Sequence, residues 1–171
     1  MLQFGMYNLK YIQHYPKELQ QQVTHLIQQN RLKDYLLQKY PQMHDVNNDK
    51  RLYEFVMEYK NEHFKKYQLS KVAYDSKLQC NNSLGNNIFV TRIQGNKLKT
   101  KNNINIATVF KKAPFSFLEM IVVHELAHLK IKEHNKAFYN LCQHVQENYA
   151  QIEFDFRLFL THIEHDKNPF T

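Results

Sequence analysis

The sequence predicts an α+β fold in which an N-terminal helical region leads into a small, mainly antiparallel sheet and then into three further helices. Three observations carry this reading. Apolar residues recur at helical spacing through the first 70 residues, the chain turns β-rich across about 71–110, and a helical period resumes after Pro114. With 171 residues, 43% of them hydrophobic, and only 3 Gly and 4 Pro, the chain suits one domain with a helical extension and leaves little material for linkers. The expected division is 1–70 for the N-terminal helical region and 71–171 for the second part, built together as one compact unit.

The elements follow in order. From Pro16 to Asn30, residues Leu19, Val23, Leu26 and Ile27 share one helical face, and Pro16 suits a first turn because its missing N–H is not needed there. A shorter helix spans Arg31 to Tyr40, closed by Pro41, and a longer one spans about Asp49 to Tyr67 with Leu52, Phe55, Val56, Tyr59, His63, Phe64 and Tyr67 as its stripe. Val72 to Asp75 and Ile88 to Ile93 read as strands, with turns at Asn86–Asn87 and Gly95–Asn96 and a returning strand from Leu98. Ile104 to Val109 alternate as a further strand. After Pro114, Ser116 and Glu119 have the spacing of a capping box, in which the serine takes a free backbone N–H and the glutamate reaches back. Asn135 is placed to cap the next helix, and a last helix covers roughly Gln151 to His162.

Composition narrows the function classes. The net charge of +7 and pI of about 9.3 suit a solvated basic surface, or one that attracts nucleic acid or another anionic partner, but no run of Lys and Arg is dense enough for a basic tail. The two cysteines, Cys80 and Cys142, form no CxxC motif, so neither a cysteine zinc site nor a redox motif is expected. No signal peptide and no transmembrane run is evident, which gives a cytoplasmic location with no membrane partner as the default expectation.

The chemistry concentrates in His124-Glu125-Leu126-Ala127-His128. Residues four apart on a helix share one face, so two imidazoles can meet one divalent ion, which points to zinc. Glu125 is turned about 100° away from His124, where it does not compete as a ligand but can act as general base toward water. A third ligand is required. On a continuous helix His134 would be rotated about 240° from His128, so the helix must end between them, with Glu133-His134-Asn135 in the turn. His134 is the preferred ligand, with Glu147 and His144 as alternatives. Tyr139, Tyr149, His144 and Arg157 are candidates for stabilising a developing oxyanion, unranked by sequence.

The stretch from His124 through His134 to Phe138 and Tyr139, with the strand and loop of Ile104–Pro114 before it, resembles the YgjP-like metallopeptidases, which are related to the WLM and SprT-like proteases. The resemblance is specific over about 103–142 and looser back to about 71; it does not account for the first 70 residues. It implies a zincin-like core, a small sheet packed on the active-site helix, with His124, His128 and His134 as the metal ligands and Glu125 as the catalytic base. It does not fix the substrate: related proteins are associated with peptide cleavage, and some YgjP-like members with a nucleotide pyrophosphatase activity. The leading expectation is therefore a zinc metallopeptidase acting on a peptide or protein. The alternatives are a zinc hydrolase of a nucleotide and a non-catalytic, basic nucleic-acid-binding protein.

Overall fold

The computed structural model describes residues 7–78 and 102–171. Helices α1 (Lys17–Gln28), α2 (Leu32–Lys39) and α3 (Asp49–His63) lead into strand β1 (Leu69–Asp75). Strand β2 (Asn102–Ala107), a 3₁₀ turn (Thr108–Lys112) and helices α4 (Phe115–Ala127), α5 (Lys136–Val145) and α6 (Tyr149–Ile163) complete the order. The fold is α+β with helices at its N-terminal end, as expected. No helix among the described residues is long and apolar enough to cross a membrane.

The sheet corrects one expectation. β1 and β2 pair parallel, with Val72 opposite Ile104 and Tyr74 opposite Ile106, not antiparallel. Antiparallel neighbours can be joined by a tight hairpin, whereas parallel ones need a crossover of a dozen or more residues. Residues 76–101 supply that length between the two described strands. The strand expected at Ile88–Ile93, its flanking turns and the return at Leu98 lie outside the described residues.

Two further local expectations give way to tertiary packing. The strand expected to run through Val109 stops at Ala107, and the chain bends into the 3₁₀ turn. The bend drives Phe110 into the core, where its ring stacks on Phe156 at 4.7 Å between centroids. The capping box at Ser116 does not form, because α4 starts two residues too early for it. Pro114 is the N-cap and Ser116 is already helical. The N–H of Phe115 donates instead to Gln42 O at 2.9 Å. Glu119 accepts from the Tyr59 hydroxyl at 2.7 Å and from Gln146 Nε2 at 2.8 Å, so its carboxylate ties α3 and the α5–α6 corner to α4.

α4 is the centre of the molecule. Its sequence is apolar on nearly every side, and a helix of that kind is stable only when enclosed. Every residue from Met120 to Ala127 is buried, including the polar His124 and Glu125. Phe117 on α4 sits among the rings of Tyr40, Phe156 and Phe159. α6 packs against α4 and carries Asp155, a fully buried acid that accepts from the hydroxyls of Tyr35 and Tyr40 and pairs with Lys39 on α2. A buried carboxylate held by several donors is satisfied, so this cluster locks α2 onto α6.

Candidate metal centre

The site begins where α4 ends. His124 lies in the last turn of α4 and His128 is its C-cap residue. The chain then turns out of the helix: Leu129 N–H donates to Leu126 O at 3.0 Å and Ile131 N–H to Ala127 O at 2.9 Å. No residue between His128 and Asn135 has positive φ, so the turn does without the glycine that usually closes a helix. Asn135, in extended backbone, caps α5: its Oδ1 accepts the Phe138 N–H at 3.0 Å. Between these two fixed ends, His134 swings back over the helix terminus.

The three histidines meet. The Nε2 atoms of His124, His128 and His134 lie 3.2, 3.0 and 3.1 Å apart. They are the group of metal-capable side chains found among the described residues. His128 Nδ1 stands 3.1 Å from the Ile131 carbonyl oxygen. A carbonyl can only accept, so Nδ1 carries the proton and Nε2 presents a lone pair. Lone pairs converging at this distance repel one another unless a cation stands between them. Tetrahedral coordination at about 2.0–2.1 Å places ligand nitrogens about 3.3–3.4 Å apart, close to the separations seen here. The donor set and its spacing thus fit one divalent ion.

The electrostatics agree with neutral imidazoles. Burial, followed by the neighbouring His128, His134 and Arg157, holds His124 well below the usual histidine range. Burial also lowers His128, although its bonds to the Ile131 and Lys132 backbone pull the other way. His134 is pushed down to about 4 by burial, then by His128 and Arg157. Neutral imidazoles are the form that binds metal.

Two supports were not assigned these roles from sequence. Phe138 is fully buried under the cluster, with its ring centroid 5.0 Å from that of His124, 4.6 Å from His128 and 4.9 Å from His134. Its position four residues after His134, at the start of a capped helix, is the signal that could have marked it as the floor. Tyr149 places its hydroxyl 2.7 Å from His124 Nδ1. The sequence offered Tyr149 only as a candidate for oxyanion stabilisation.

Glu125, next to His124 in sequence, is 3% exposed. The alternative ligands Glu147 and His144 are exposed and stand outside the histidine cluster. Of the other oxyanion candidates, Tyr139 lies at the outer side of the site, its ring 6.3 Å from that of His134. Arg157 is buried, donates to Tyr11 O at 3.1 Å and stands 3.6 Å from Glu153, and its positive field reaches both His124 and His134.

Comparison with known proteins accords with this geometry. The family model described as YgjP-like, metallopeptidase domain matches residues 7–157. The chain is 50% identical over 165 residues to the UTP pyrophosphatase of Escherichia coli (strain K12), across 95% of this chain and 99% of that protein. No solved structure matches.

Proposed function

The chain belongs to the YgjP-like metallopeptidase-domain family and is a metal-dependent hydrolase; on that premise we propose that it cleaves a nucleoside triphosphate to the monophosphate and pyrophosphate, using zinc held by His124, His128 and His134. The observation that carries the substrate class is the 50% identity, over nearly the whole of both chains, to a UTP pyrophosphatase. The basic charge of +7 and the positive field of Arg157 at the histidines suit an anionic substrate.

When bound, the ion supplies Lewis acidity, which makes water acidic enough to attack near neutral pH and draws charge from the group under attack. The protein's residues do the rest. The three imidazoles, neutral and fixed on the Phe138 ring, hold the ion without competing protons. Glu125 accepts the proton of the attacking water as general base. Pyrophosphate leaves as a stable anion, so Glu125 has no need to return that proton to the leaving group. A departing amine would require it. The same residues therefore suffice for phosphoanhydride hydrolysis with a simpler proton itinerary.

Peptide hydrolysis is the second reading, favoured by the metallopeptidase description of the matched family model. The two separate in one experiment. Zinc-loaded wild type and Glu125→Gln are incubated with UTP and with casein, and pyrophosphate and new peptide termini are quantified. The expected outcome is pyrophosphate release from UTP, reduced on the order of 10²- to 10⁴-fold in Glu125→Gln while its bound zinc is retained. Casein cleavage without UTP hydrolysis would establish the peptidase instead.

A further inference from the structure

Tyr149 is 25 residues from His124 in sequence, and the contact between them is constructed by the α5–α6 corner. Asn148 adopts φ 62° and ψ 22°, a left-handed conformation that asparagine tolerates better than most residues. That reversal starts α6 at Tyr149. Gln146 anchors the corner to α4, its Nε2 donating to Ser116 O at 3.1 Å and to Glu119 Oε2 at 2.8 Å. α4 therefore carries both the first histidine and the anchor that aims the tyrosine at it.

We infer that Tyr149 is a positioning residue for the metal site: its hydroxyl oxygen accepts the His124 Nδ1–H and so fixes the tautomer in which Nε2 offers its lone pair to the ion. The inference rests on the reading of the three histidines as metal ligands. A neutral imidazole carries one proton, and on Nε2 that proton would block ligation. For His128 the Ile131 carbonyl makes the choice. For His124 a hydroxyl makes it, and a hydroxyl can donate as well as accept. His124 Nε2 faces the Nε2 atoms of His128 and His134 at 3.2 and 3.1 Å, the side from which an ion would be held, so the proton belongs on Nδ1 and the Tyr149 hydroxyl oxygen at 2.7 Å is its acceptor. Tyr149 is fully buried and His124 is buried too, so water does not replace either partner. The hydroxyl stands behind the ring, on the Nδ1 side, and so orients His124 rather than stabilising charge on a substrate.

The test compares wild type, Tyr149→Phe and Tyr40→Phe as full chains. Tyr40→Phe is the control, because it also removes a buried hydroxyl bond, to Asp155, away from the histidines. Zinc affinity is measured by competition with a chromophoric chelator, and the His124 tautomer by ¹⁵N NMR of the metal-free protein. Tyr149→Phe should bind zinc about 10- to 100-fold more weakly, and Tyr40→Phe should bind it like wild type. Wild-type His124 should be protonated at Nδ1. Affinity of Tyr149→Phe within about twofold of wild type, or a wild-type His124 protonated at Nε2, overturns the role of Tyr149 and leaves the metal site standing. Wild type that takes up no zinc overturns both. Should Tyr149→Phe fail to fold, the wild-type tautomer alone decides.

Discussion

His44 shows how a single side chain couples this fold to pH. Its Nε2–H donates to Phe110 O at 2.9 Å, and its Nδ1 accepts the Val46 N–H at 3.1 Å. Only the neutral ring makes both bonds. Burial accordingly holds the imidazole below its ordinary value, although the bond to Phe110 and the charge of Asp45 oppose the shift. The folded chain thus holds this proton less tightly than the unfolded chain does. The stabilisation is present in full above the unfolded value of 6.5 and is lost as pH falls from there through the folded value. Urea denaturation of wild type and His44→Gln at about pH 7.5 and about pH 5.5 measures it. The advantage of wild type should shrink at the lower pH. A constant or growing advantage would mean that the neutral bonding pattern is not what His44 contributes.

At the scale of the elements, α5 rests on a single side-chain cap. That cap is Asn135, which follows the third histidine and precedes the Phe138 floor. Asn135→Ala should cost about 1 kcal/mol of stability, the usual loss for such a cap. Because α5 carries the floor, zinc affinity should fall in the same variant. Thermal melts and chelator competition give the two numbers, and a loss of stability with unchanged affinity would place the cap outside the site's support. This cap was legible in the sequence because it is local: an asparagine before a helical period satisfies a free N–H within its own turn. The meeting of His124 with His128 was legible for the same reason, as a spacing of four on a helix. The Ser116–Glu119 box was also a local pattern, and it failed. Tyr59 and Gln146, both distant in sequence, claim the Glu119 carboxylate that the box would have used. Parallel pairing of β1 and β2 was equally out of reach, since turn signals report only the nearest return of the chain. Tyr149 was out of reach for a further reason. Its role depends on the reversal at Asn148 and on the anchoring of Gln146 to Ser116, 30 residues apart in sequence.

At the scale of the whole molecule, the histidine cluster joins the end of the central helix, the turn after it and the start of α5. β1 and β2, the N-terminal helices and α6 contribute to the same continuous apolar core that encloses α4. An ion bound by the folded arrangement and not by the open chain must therefore stabilise the entire fold, not only the turn that carries His134. Zinc at about 100 times its dissociation constant should add about 2.7 kcal/mol, which for a chain of this length raises the melting temperature by roughly 5–10 °C. His134→Ala removes one of the three nitrogens and should melt at nearly the same temperature with and without added zinc, and a chelator should return the wild type to its metal-free value. Calorimetric scans of both chains, with zinc and with chelator, make the comparison. A His134→Ala protein that still gains the full increment would mean that the stabilising ion sits elsewhere. A wild type that gains nothing would separate the convergence of the three imidazoles from metal binding and remove the ground on which the hydrolytic mechanism stands.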